Sequence, residues 1–196
     1  MAAVEYDEKT ALIVTDVQND FADPGGNLHV QGGDKILPFV NHEIEAARHA
    51  GAYVVYTQDW HPQSTPHFEK DGGIWPVHCV QGSWGAAFFA DLVVDGEVVR
   101  KGSGGEDGYS GFTVRDPESG EEEGTGLEGL LRDRGIERVV LVGLATDYCV
   151  KESALDALHK GFETVVLEEG VRAVDLRRGD GERALEAVRE AGGRVE

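Results

Sequence analysis

The chain is predicted to be a single α/β domain, a three-layer α/β/α sandwich around a mostly parallel sheet of about six strands. Three observations carry this. The chain has 196 residues, within the usual range of one domain, so residues 1–196 are read as one unit. Short apolar runs alternate with segments of helical periodicity, the pattern of strand–helix–strand units. The runs are apolar throughout, as strands covered on both faces are.

Ala11–Thr15 is the first such run and stops at Asp16. Asp34 is positioned to cap a helix reaching about Ala50, with Ile36, Leu37, Val40, Ile44 and Ala47 on one face and Gly51 behind it. Ala52–Thr57 is the second strand, ending just before Asp59. From about Gln58 to Ala90 the chain carries His, Trp, Pro and Gly without periodicity, and loops of this length in compact domains usually serve function. Asp95-Gly96 fits either a hairpin turn or a loop before a third parallel strand ending at Arg100-Lys101, and the neighbouring strand–helix units favour the second. Asp116–Gly126, rich in Glu and Gly, reads as an exposed loop, and Leu127–Arg134 as a helix. Arg138–Gly143 is the strongest buried-strand signal. Thr146 or Asp147 is placed to cap the helix that follows, through about His159. Thr164–Leu167 is a fifth strand, Asp180–Ala191 a last helix, and the Arg194-Val195 tail the one candidate for a sixth strand.

Eighteen basic residues against 37 acidic give a formal charge of −19. That field repels phosphate backbones and anionic membranes but not a small neutral molecule. The first ten residues lack a basic segment followed by an apolar one, so no signal peptide is read there. No apolar run is long enough for a membrane span. With two cysteines, Cys79 and Cys149, a disulfide scaffold is excluded, and a cytoplasmic protein with reduced thiols is expected.

In open parallel sheets, ligands bind outside the carboxyl ends of the strands. Asp16, Asp59 with His61, Lys101 and Cys149 all follow strand ends. Cys149 stands where a strand turns into a helix, and free N–H groups there would lower the thiol pKa and cradle an oxyanion. A small buried side chain is the plainer reading. A nucleophilic thiol needs a proton acceptor and a cation to hold both, which Asp16 and Lys101 supply, although alone each also fits a turn and a solvated surface. Asp59, His61, His67 and His78 carry a carboxylate and imidazoles suited to zinc, manganese or ferrous iron, or else are loop residues in water. His29, His42, His49 and His159 read as surface residues. Cys79 reads as a small buried one.

The segments Asp16–Phe21, Asp59–Pro62, Trp75–Gly82, Lys101-Gly102, Tyr109–Phe112 and Ala145–Val150, in this order, resemble the cysteine hydrolases of the isochorismatase-like superfamily and, within it, the nicotinamidase branch. The likeness runs from about Ala11 to Leu167. It implies a six-stranded parallel sheet between helices, with Asp16, Lys101 and Cys149 as a catalytic triad. It implies an oxyanion hole from the N–H groups of Ala145 and Cys149, after a cis peptide joining Leu144 to Ala145. The metal ligands would be Asp59, His61 and His78. His67 matches a histidine whose part varies among relatives, and here Phe68-Glu69 follows it in place of Ser-Phe. Phe21, Trp75 and Tyr109 match positions lining a nicotinamide pocket. The implied activity is hydrolysis of nicotinamide to nicotinate and ammonia through a thioester, in NAD salvage, with one divalent transition metal ion (zinc, or iron or manganese) and no organic cofactor. The partner would be a small neutral amide, with a homo-oligomer compatible. Another amidase acting on a carbamoyl or ureido compound is the near alternative, and a catalytically silent interaction domain the remote one. The acidic insertion Glu118–Gly124 matches nothing in the family pattern.

Overall fold

A computed structural model describes residues 4–196. The first three residues, part of the expected domain and of the segment read for a leader, lie outside the described residues.

The chain begins with β1 (Thr10–Thr15), whose six residues are all buried, followed by the short helix α1 (Asn19–Ala22). Helix α2 (Leu37–His49) turns Leu37, Val40, Ile44 and Ala47 inward, the face expected from their spacing. Asp34 does not cap it. A 3₁₀ turn begins at Asp34 itself, and Pro38 starts the helix with its fixed φ and no N–H to satisfy. Strand β2 (Tyr53–Asp59) runs two residues further than expected and includes Asp59. The reason lies outside the strand. Gln18 grips the Asp59 backbone like a neighbouring peptide: its Oε1 accepts from Asp59 N–H at 2.8 Å and its Nε2 donates to Asp59 O at 2.8 Å.

Strand β3 (Glu97–Lys101) lies parallel to β2, with Asp59 opposite Lys101. The Asp95-Gly96 turn is therefore not a hairpin. A small antiparallel pair forms here, β4 (Thr113–Arg115) just before the acidic stretch expected to be loop and β5 (Glu122–Gly124) within it. Its residues are exposed or half-buried, so no alternation of apolar and polar residues marks it. Then come α3 (Leu127–Asp133) and β6 (Arg138–Leu144), which is followed by a π-helical turn over Thr146–Val150 and by α4 (Lys151–His159). Neither Thr146 nor Asp147 caps that helix. The Ala145 carbonyl takes the N–H groups of Tyr148 and Val150, each at 3.1 Å. The Asp147 carboxylate instead accepts the N–H groups of Val174 and Asp175, both at 2.9 Å. Strand β7 (Glu163–Arg172) is ten residues long and runs five residues beyond the apolar run, α5 (Asp180–Glu190) follows, and β8 (Arg194–Val195) pairs with β7 as a two-residue sixth strand.

The main sheet has six strands in the order β3-β2-β1-β6-β7-β8, every pair parallel. Alternate residues of each strand feed two cores. Leu12, Val14, Val140 and Val142 pack with α2 on one face, while Ala11, Ile13, Val139 and Leu141 pack with α3, α4 and α5 on the other. The order reverses between β1 and β6, which leaves a crevice at their carboxyl ends. Gly143 permits their close approach. Its φ is +116°, and a Cβ there would stand 2.0 Å from the Thr15 carbonyl oxygen. Gly143→Ala is expected to cost about 3 kcal/mol or more, combining backbone strain with overpacking, and to lower Tm by about 6–12 °C. A thermal melt of the variant within a degree or two of the parent would contradict this.

Candidate active site

The carboxyl ends of β1, β2, β3 and β6 lie side by side, Thr15 facing Thr57 and Gly143. Residues far apart in sequence thereby meet. Asp16 takes a left-handed backbone (φ +47°) just past β1, a conformation that Asp tolerates better than most residues. The turn sends its carboxylate into the crevice, where Thr57 Oγ1 donates to Oδ1 at 2.7 Å. Lys101 is 1% exposed. Its ammonium lies 2.8 Å from Asp16 Oδ2 and 3.6 Å from Cys149 Sγ, and it also contacts Asp59 Oδ1 and the Gly108 carbonyl. A buried ammonium persists only when paired, and this one has two carboxylates and a carbonyl.

The electrostatics follow from this packing. Burial lowers the Lys101 pKa, but Asp16 and Asp59 outweigh it, so the group lies well above its ordinary value and stays charged. Burial pushes Asp16 up against the opposing pull of Lys101. For Asp59, burial pushes up while Lys101, His61 and His78 pull further down, leaving the carboxyl well below the usual range. Burial drives the Cys149 thiol well above its ordinary value, although Lys101 opposes it. The direction is opposite to the lowered thiol pKa expected from its place near a helix start. The thiol needs a base, and a carboxylate oxygen of Asp16 lies within 4.8 Å of the sulfur.

Beside this cluster the side chains of His61, His67 and His78 converge, with one ring nitrogen of each within 4.8 Å of the others. All three are buried. Asp59 Oδ2 is 3.6 Å from His61 Nε2 and 3.9 Å from His78 Nε2. Two ligands held about 2.1 Å from a tetrahedral metal stand about 3.4 Å apart, close to these separations. His78 Nδ1 lies 2.7 Å from the Pro76 carbonyl, and donation there leaves Nε2 free. Burial lowers His78 to about 4, so the ring is neutral. Among the described residues neither nitrogen of His61 has a hydrogen-bond partner, which is rare for a buried polar atom and is what a metal ligand requires. The residues fit a divalent ion. Asp16, Asp59 and Cys149 form a second close set, but the Lys101 ammonium already supplies the positive charge among them. Gly102 explains part of the packing: its φ is +74° and a Cβ would sit 2.5 Å from the His61 ring.

A pocket shared by both clusters is lined by Phe21, Leu28, Trp75, Tyr109, Tyr148 and Val174, together with Asp59, His67, His78, Gly108, Ala145 and Cys149. Trp75 Nε1 donates to the Tyr109 hydroxyl at 2.8 Å, and the Trp75 and Tyr148 rings meet edge to face at 4.8 Å. Such walls suit a flat aromatic ring. The Leu144–Ala145 peptide is cis. A larger groove along α2, lined by Asn41, Glu45, Arg48 and Val93, lies away from these groups. His29, His42, His49 and His159 are exposed, and Cys79 is fully buried. Sequence reasoning missed Thr57, the Gly108 carbonyl, Leu28, Tyr148 and Val174. Tyr148 alone sat inside a singled-out segment.

Fold and site together define a hydrolase of the isochorismatase-domain class. The chain belongs to the isochorismatase-domain family, whose sequence profile matches residues 10–196. Within it, the chain is similar to nicotinamidases and pyrazinamidases. The nicotinamidase/pyrazinamidase of Mycobacterium tuberculosis is 40% identical over 86% of this chain and 86% of that protein. The pyrazinamidase of Pyrococcus horikoshii in complex with zinc superposes with a TM-score of 0.86 at 43% identity, covering 96% of this chain and 98% of that one. PnC1 of L. infantum in complex with nicotinate gives 0.89 at 38% identity, covering 100% and 96%. Among the described residues no helix is long and apolar enough to cross a membrane.

Proposed function

We propose that this chain is a nicotinamidase, hydrolysing nicotinamide to nicotinate and ammonia and so returning nicotinamide to NAD synthesis. The observation that carries the reading is the Lys101 ammonium joining Asp16 to Cys149 beneath an aromatic pocket, next to a histidine cluster. The relatives named above support it.

In this reading Asp16 takes the proton from Cys149 Sγ, and the thiolate attacks the amide carbon. The carbonyl oxygen gains the charge, and the N–H groups of Ala145 and Cys149 hold it. Asp16 passes its proton to the amide nitrogen, the C–N bond breaks, and ammonia leaves a thioester on Cys149. Asp16 then deprotonates a water that attacks the thioester. The C–S bond breaks, the sulfur regains a proton and nicotinate departs. Lys101 holds Asp16 and the sulfur in register throughout and stabilises the thiolate. Phe21, Trp75, Tyr109 and Tyr148 position the ring. Asp59, His61, His67 and His78 would hold a divalent transition metal ion, which supplies a fixed point of attachment for the pyridine nitrogen.

Ammonia release from nicotinamide, N-carbamoylsarcosine and ureidoacrylate tests the reading. Nicotinamide is expected to exceed the others in kcat/KM by about 10⁴-fold or more, the scale set when a site's hydrogen-bonding groups go unpaired with the wrong substrate. Chelation is expected to raise KM for nicotinamide, with restoration by zinc, manganese or ferrous ion. Metal-loaded protein that releases ammonia from a carbamoyl or ureido compound but not from nicotinamide would replace this reading with that of a different amidase. Release from none would end it.

A further inference from the structure

His67 and the acidic hairpin were the two features that the sequence left without a place, and the structure connects them. His67 Nδ1 lies 2.6 Å from Asp107 Oδ1. A neutral imidazole carries one N–H. Donating it to Asp107 leaves the Nε2 lone pair for the histidine cluster, the arrangement by which an outer carboxylate sets the tautomer and ring angle of a metal-bound histidine. The ring also stacks on His61 at 4.7 Å between centroids.

Asp107 itself is held by backbone. Its N–H donates to Arg115 O at 2.7 Å, and Arg115 N–H donates back to Asp107 O at 3.0 Å. Arg115 closes β4, opposite Glu122 of β5. The turn beyond is ordered: Asp116 Oδ1 accepts the N–H groups of Glu118 and Ser119, and Gly120 N–H donates to Asp116 O. At the base of the hairpin, Ser110 and Thr113 hydroxyls both donate to Asp156 on α4, at 2.6 and 2.7 Å. A second stitch joins the two loops where Thr65 Oγ1 donates to Gly105 O at 2.6 Å.

We propose that Asp107 is a positioning residue that aims His67 at the metal, and that the β4–β5 hairpin is the strut that keeps Asp107 in place. The proposal rests on the metal centre put forward above. The glutamates of the hairpin then need no ligand of their own, since its backbone does the holding.

The test uses the full chain, stripped of metal and titrated with cobalt(II) against a competing chelator, with the visible spectrum recorded. Asp107→Ala is expected to weaken cobalt binding by about 10–100-fold, the scale for losing an outer-sphere partner, and to alter the ligand-field bands. Asp107→Asn keeps an acceptor oxygen and should fall between it and the parent. Arg115→Pro removes the N–H bonded to Asp107 O without touching any histidine and should weaken binding in the same direction. It also guards against Asp107→Ala failing to fold. His67→Ala should weaken binding at least as much as Asp107→Ala. Unchanged affinity and spectrum in Asp107→Ala and Asp107→Asn, with weakened binding in His67→Ala, would overturn the role of Asp107 and leave the metal centre standing. Unchanged binding in His67→Ala would overturn it one step earlier. A parent protein that takes up no cobalt would overturn the metal centre and this proposal together.

Discussion

Cys149→Ala is expected to abolish turnover of nicotinamide while leaving the fold intact. The sulfur lines the pocket and lies 3.6 Å from the Lys101 ammonium. Removing a nucleophile from a unit of this kind lowers kcat by about 10⁴-fold or more, leaving the rate that binding and the oxyanion donors sustain. The structural cost is small, because alanine deletes one atom from a site that opens onto a pocket and can relax. Acid-quenched intact mass should show a nicotinoyl adduct on the parent and none on the variant. Iodoacetamide should label Cys149 before Cys79, whose thiol is buried at 0% exposure. Full activity in Cys149→Ala would end the thioester mechanism.

Asp16→Asn and Lys101→Ala should each slow the reaction steeply, for different reasons. Asp16→Asn removes the proton acceptor of the proposed mechanism. Lys101 keeps Asp59 and the Gly108 carbonyl as partners, so stability should change little while kcat falls by about a hundredfold or more. Lys101→Ala leaves Asp16 and Asp59 buried with no cation between them. That should cost about 3–5 kcal/mol and about 6–20 °C in Tm, along with a comparable loss of rate. The double variant should be little slower than the slower single one, since the residues act as a unit. It should also be more stable than Lys101→Ala, because only one carboxylate is then left unpaired. Rate losses that multiply, or a melting temperature lower still in the double variant, would show Asp16 and Lys101 acting independently.

How far the sequence revealed all this depended on where each signal lay. Strands β1 and β6 were legible because burial on both faces leaves a run of Val, Ile and Leu. The far half of β7 was not. Its Glu168 and Glu169 are exposed, and the pairing with β6 shifts register between Leu141 and Gly143. The β4–β5 pair has three residues a side and a single apolar side chain, Val114, and its backbone bonds leave no trace in side-chain pattern. Asp147 looked like a cap because caps are local, yet its partners are 27 and 28 residues away. At the site, residue types at strand ends pointed to Asp16, Asp59, Lys101 and Cys149, since a charge or thiol there needs a reason. Asp107 gave no such signal: its meaning is a distance to His67 that only the folded loops create. The depth of Cys149 likewise leaves no mark in the sequence, and burial drives its thiol well above the ordinary value.

The placing of β6 between β1 and β7 has a consequence for how the chain is made. A ribosome delivers β1, β2 and β3 first, and these can pair as β3-β2-β1. Until Arg138–Leu144 emerges, β1 stands as the open edge of that half-sheet, and every one of its six residues is of the kind that ends up buried. A bare apolar edge is a template for pairing with other chains. Cys149 emerges a few residues after the strand that covers this edge, so the edge is closed before the candidate site gains its thiol.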